Sequence, residues 1–138
     1  MTGGNIRARI HAMLAMLESG EFLQTFDQFY RADARFFENE YLFAESRHEA
    51  RERQASFLNG CSSFVGDIEL VHADVGRRIA VFHNRSRYEH PDYGAGQVNG
   101  VHVAYWQDDL IVREEYFSGK RVDEVLSFWR LVGRSSTQ

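Results

Sequence analysis

An imidazole and carboxylates in the last third of the chain are the side chains best suited to move protons near neutral pH. His102 lies in the run Val101-His102-Val103-Ala104-Tyr105-Trp106, and Glu114 in Leu110-Ile111-Val112-Arg113-Glu114-Glu115-Tyr116-Phe117. A strand repeats every two residues, so His102, Ala104 and Trp106 share one face and Val101, Val103 and Tyr105 the other. The next run divides the same way, with Glu114 and Tyr116 against Arg113, Glu115 and Phe117. A carboxylate beside an imidazole favours its charged form and holds its orientation, which is what general acid–base chemistry requires. The same pattern also arises from a structurally satisfied strand histidine and solvent-facing glutamates, and a one-residue slip exchanges the faces.

Other reactive types point nowhere specific. His72, His83 and His90, with Glu89, fall near two strands but lack the fixed spacing of a helical His-x-x-x-His ligand pair, so no metal is expected. His11 and His48 occupy polar helical positions. Cys61 is the sole cysteine, which rules out an internal disulfide and reads as a small buried apolar residue rather than a nucleophile. There is no glycine-rich phosphate loop, nucleophile elbow or paired-cysteine motif, so nucleotide use and acyl-enzyme chemistry have no support and no cofactor is expected.

The chain that must position these groups has 138 residues, the size of one domain, and is 43% hydrophobic and 26% charged, as a globular protein is. Aromatics reach 14%, 11 of them Phe, which favours a core or pocket walled by rings. The balance of 16 basic and 20 acidic residues, 16 − 20 = −4, argues against a nucleic-acid partner. Arg47, Arg51 and Arg53 alternate with Glu49 and Glu52, as on a solvated helix face. Arg7, Arg9, His11 and Glu18 interrupt the N-terminus too often for a signal peptide, and no apolar run is long enough to span a bilayer. A soluble cytoplasmic protein without a membrane partner is expected.

Ile6, Ile10, Met13, Leu14 and Leu17 form a helical stripe that stops at Ser19-Gly20, and Phe22, Leu23, Phe26, Phe29 and Tyr30 form a second. Residues 34–43 read as a strand, and Ser46-Arg47-His48-Glu49 as a capping box opening a polar helix to Leu58. Residues 59–66 read as loop. Four strands follow at 67–75, 78–90, 98–106 and 110–117, with a proline- and glycine-bearing loop at 90–96. Val122, Val125, Leu126, Trp129 and Val132 mark a last helix over 121–132. Helices segregated from an antiparallel meander define an α+β fold in one domain, 1–138, with a core of about 6–118.

This order, with Leu17-Glu18-Ser19-Gly20-Glu21 and Phe29-Tyr30-Arg31-Ala32-Asp33-Ala34-Arg35-Phe36, resembles the start of SnoaL-like domains of the nuclear transport factor 2-like superfamily. There a helix ends in a glycine–acid pair and a second runs into a Tyr-x-x-Asp-Ala strand entry. The hairpin from Gly100 to Val112 is similar to the family's penultimate strand and Asp-Gly-Lys-Ile turn, although Asp108-Asp109-Leu110-Ile111 lacks the glycine. The resemblance implies a cone-shaped, strongly bent mixed or antiparallel sheet, a cystatin-like α+β barrel, with N-terminal helices over its concave face and one small-molecule pocket. It turns His102, Glu114 and Tyr116 into the cone. Matched to the ketosteroid isomerase branch, the first-helix tyrosine falls on Met13, which cannot donate. The aspartate base falls on Glu38 and the protonated aspartate donor on His102, so classical steroid isomerisation is not expected. The strand face opposite Arg85 and Arg87 adds Phe82, Asn84 and Tyr88 as pocket candidates, and Tyr30 and Trp106 serve as walls or as core.

Three functions follow as expectations. The first is a cofactor-independent acid–base enzyme (isomerase, cyclase, dehydratase or hydrolase) on a small apolar substrate, with Glu38, His102 and Glu114 catalytic. The second is a binding protein for a hydrophobic ligand, and the third a dimeric assembly module. An inward, bonded His102–Glu114 pair favours the first, and a filled cavity with a large apolar outer surface the third. Val101, Val103, Tyr105 and Phe117 on the outward face would expose enough apolar area to predict a homodimer.

Overall fold

The computed structural model describes residues 3–136. Helices α1 (Gly3–Glu18) and α2 (Phe22–Phe29) lead into β1 (Tyr30–Glu38), β2 (Tyr41–Ala44) and α3 (Arg47–Gly60). Then come β3 (Ser63–Val65), β4 (Ile68–Asp74), β5 (Ile79–Asn84), β6 (Arg87–His90), β7 (Gly94–Gln97), β8 (Gly100–Gln107), β9 (Leu110–Ser118) and α4 (Arg121–Ser136). The signals that set these boundaries are local. Gly20 takes a φ of +82° at the end of α1. Ser46 Oγ accepts from the Glu49 amide at 3.1 Å and opens α3, while the Glu49 carboxylate reaches back to the Glu45 amide at 2.7 Å. Asp108 turns the β8–β9 hairpin from the left-handed region at φ 56°, which aspartate visits more readily than most residues.

Six strands form one sheet in the order β2-β1-β9-β8-β5-β4. The meander β4-β5-β8-β9 is antiparallel throughout, and β1 joins β9 in parallel. The architecture is α+β with a curved mixed sheet that is not closed, so the expected barrel is an open cone. Three finer expectations are corrected. Residues 34–43 form two strands around Asn39 and Glu40, both at positive φ, and β1 starts directly from α2. The span 78–90 breaks after Asn84, because the Arg85 amide turns to Asp67 O and β6 leaves the main sheet. Both expected loops contain strands, and β3, β6 and β7 build a second small sheet. Strands of three or four residues owe their stability to those partners, which periodicity does not reveal.

Two apolar layers sandwich the main sheet. On the concave face, Ile6, Ile10 and Met13 of α1 and Phe29 of α2 share a core with Phe82, Ala104, Trp106 and Ile111 of the sheet. On the convex face, Val81, Val101, Val103 and Phe117 pack under Val122, Val125 and Leu126 of α4. The alternation read on β8 and β9 is therefore the one observed. The outward face, though, is a covered second core and not an exposed patch, which removes the ground for expecting a homodimer. The face with Val81 and His83 on β5, read as external because of Arg85, is buried as well.

Candidate active site

The concave sheet face, α2 and α3 enclose a cavity of about 290 Å³. Its walls are mostly rings, among them Phe22, Phe26, Phe36, Phe43, Phe57, Phe64 and Phe82, and the polar groups gather on the β5-β8-β9 side. Antiparallel register sets Ala104 opposite Glu114 and His102 opposite Tyr116, so His102 and Glu114 meet on the diagonal of one sheet face. His102 Nδ1 lies 3.1 Å from Glu114 Oε2. The Tyr30 hydroxyl, delivered where α2 becomes β1, donates to the other carboxylate oxygen, Glu114 Oε1. Glu114 is 8% exposed, so these two contacts replace its water. Burial, then the adjacent Glu114 charge, raises the Tyr30 phenol well above the ordinary range, so it stays a donor.

The far side of the imidazole is equally defined. His102 Nε2 is 3.3 Å from Asn84 Nδ2, and the ring stacks on Phe82 with centroids 4.6 Å apart and planes 10° apart. Asn84 is itself held by Ser86, whose hydroxyl donates to Asn84 Oδ1 at 2.6 Å. A five-residue series, Tyr30–Glu114–His102–Asn84–Ser86, thus runs along the cavity wall as far as Asn84 and ends behind it at Ser86. Tyr116 lies beside it, its ring centroid 4.7 Å from that of His102. A Cβ at Gly100 would fall 2.1 Å from the Tyr116 ring, so only glycine leaves the ring its place. Burial, then the Glu38 charge, pushes the Tyr116 phenol up to about 12. Glu38 also lines the cavity, but at its mouth and exposed to solvent rather than desolvated within it.

Of the residues singled out in the sequence, Glu38, His102, Glu114, Tyr30, Phe82, Asn84 and Tyr116 line this one cavity. Three do not. Met13, on α1, is fully buried in the core, and Trp106 packs edge-on to Phe29 at 6.5 Å, beyond the irregularity in β8 after Tyr105. Tyr88 goes with β6 to the second sheet and backs the outer side of Phe57 at 5.0 Å. The α3 contribution, Gln54, Phe57 and Leu58, went unnoticed, because a polar helix shows no apolar stripe to announce a pocket wall. Ser86 was also missed, although alternation sets it on the face of Phe82 and Asn84. The remaining histidines are dispersed. His72 stacks on Trp129, His83 Nε2 lies 2.7 Å from Asn99 Oδ1, and His90 stacks on Phe57. Cys61 is half-buried, with its thiol against Phe57 O at 3.5 Å and pushed up by burial.

No family model matches the chain, and no curated protein matches it. Solved structures do. A protein described as a SnoaL-like polyketide cyclase from Mesorhizobium loti aligns at TM-score 0.69 and 11% identity, over 86% of this chain and 100% of that one. A nuclear transport factor 2-like protein from Burkholderia pseudomallei aligns at 0.62 and 12%, over 92% and 97%. A cystatin-fold protein from Novosphingobium aromaticivorans aligns at 0.64 and 13%, over 83% and 97%. The chain has the fold that these SnoaL-like and nuclear transport factor 2-like proteins share. At such identities the likeness establishes fold, and any activity must be argued from the site.

Proposed function

We propose that this protein is a cofactor-independent enzyme that transfers protons on a small, largely apolar molecule, in the manner of an isomerase, cyclase, dehydratase or hydrolase. The observation that carries this reading is the buried His102–Glu114 contact, anchored by Tyr30, on the wall of an otherwise ring-lined cavity. In such a place His102 takes or gives the proton, and Glu114 fixes the ring and stabilises its charged form, as a carboxylate behind a catalytic histidine does. Glu38 at the mouth supplies the second carboxylate. Tyr116, its phenol kept protonated, has a donor to offer to oxygen on the ligand. Residence in the cytoplasm belongs to the same reading, whereas a homodimer is left out of it because α4 occupies the face meant to carry it.

The test is exchange of substrate protons with solvent. The protein is incubated in deuterated buffer with a panel of small apolar ketones, enones and hydroxylated rings, and each is weighed by mass spectrometry. Label entering at least one compound, and lost in His102→Gln, supports the reading. A compound that binds in the cavity and emerges unlabelled and unchanged after long incubation would move the protein to the ligand-binding class.

A further inference from the structure

Ser86 lies behind the cavity lining, fully buried, and spends both its backbone and side-chain donors on one atom. Its amide donates to Asn84 Oδ1 at 3.0 Å and its hydroxyl to the same oxygen at 2.6 Å. A backbone amide has only a proton to offer. Turning Asn84 over would set its NH2 group against the donor-only Ser86 amide and give up that bond, so the amide oxygen must face Ser86 and Nδ2 must face His102. Nδ2 is a donor, and the imidazole atom it meets, Nε2, is then an acceptor. The ring proton therefore sits on Nδ1, where it is donated to Glu114 Oε2.

We propose that Ser86 and Asn84 are positioning residues that hold His102 neutral, with its proton on Nδ1 and its lone pair on Nε2. This rests on the acid–base reading above and deepens it, because it names the atom that receives the proton. The Nε2 contact to Asn84 is long, at 3.3 Å, and a stronger acid presented by a bound molecule replaces it. The proton then moves from that molecule to Nε2. The new imidazolium keeps its Nδ1 proton on Glu114, and the electron pair of the broken bond stays on the substrate. The charged groups on this cavity are Glu114 on β9 and Glu38 on β1, with the phenols of Tyr30 and Tyr116 beside them. The carboxylates can stabilise the charge that arrives, and the contact made by Nε2 is to a donor, Asn84 Nδ2, not to an acceptor that would compel Nε2 to be protonated beforehand. The break between β5 and β6 has a purpose here. It brings Ser86 back onto Asn84, and Ser86 Oγ also accepts from the Asp67 amide at 3.2 Å, tying the lock to the residue that leads into β4.

Two-bond proton–nitrogen NMR on the 15N-labelled, full-length protein reads the tautomer directly and needs no substrate. The His102 signal is assigned by its disappearance in His102→Gln. The expected spectrum near pH 7 is a neutral ring protonated at Nδ1. A ring protonated at Nε2, or on both nitrogens, would overturn the proposal whatever the enzyme does. Asn84→Asp, which has the same shape but presents an acceptor, should convert His102 to the doubly protonated form. Ser86→Ala should increase the population of the Nε2-protonated ring about five-fold, the effect of one hydrogen bond on the amide's two orientations. An unaltered tautomer in both variants would also overturn it. Failure of the catalytic reading looks different: the tautomer and its response to both variants stay as expected while no compound exchanges protons.

Discussion

Glu114 receives both of its protein hydrogen bonds on carboxylate oxygens, one from Tyr30 and one from His102, so each donor can be removed separately. Tyr30→Phe keeps the ring and leaves a buried carboxylate oxygen without a donor, which should cost roughly 1–3 kcal/mol in chemical denaturation. Once a substrate is known, His102→Gln and Glu38→Gln should each lower the rate about a hundred- to ten-thousand-fold with little change in melting temperature. Glu114→Gln should lose less, since it is one step from the bond being broken. Unchanged rates in both of the first two variants would refute the assignment. Glu38 is the weaker of the two, because it is exposed.

At the scale of elements, β8 and β9 decide most of the site, and one glycine decides how they meet it. Gly100→Ala should push the Tyr116 ring off its bed. That overpacking should destabilise by about 1–3 kcal/mol and change which ligands fit, measurable by thermal shift with the compound panel. Tyr116 also makes a pH prediction. Its folded value, about 12, lies above the ordinary 10.0, so the native state favours the neutral phenol. Between those limits the unfolded chain has released a proton that the folded one retains. Stability should thus be complete below pH 10 and fall as pH rises toward 12. Tyr105, raised to about 12 by burial and then by Glu115, adds to the same loss. Tyr116→Phe should flatten the alkaline limb of a melting-temperature profile, and an unchanged limb would contradict the buried phenol.

For the molecule as a whole, α4 replaces the partner subunit that the bare sheet would have demanded. With Val81, Val101, Val103 and Phe117 covered, the full chain should sediment as a monomer at micromolar concentration. A chain ending before Arg121 exposes that layer and should self-associate or precipitate. A dimer of the full chain that persists on dilution would show that another surface was underestimated.

The residues by themselves determined more of the site than of the pocket's outline. Alternation on β8 and β9 put His102 with Trp106 and Glu114 with Tyr116, because side chains on a strand cannot choose their face independently. The helix ends at Gly20 and Ser46 were equally plain, since both act through neighbours a few residues away. Which sheet face looks into the cavity was carried by the resemblance, and the sequence did not decide whether α4 or a second copy covers the other. Apolar periodicity says that a face is buried without saying by what. The misplacement of Met13, Trp106 and Tyr88 has the same origin, for each has a suitable type and a suitable face, and only the path of the chain decides whether space lies in front of it. Ser86 is the clearest case. Its place on the Asn84 face was readable, but its hold on Asn84 required the strand to break after residue 84, and the chain breaks there to satisfy backbone groups at Asp67 and Val98.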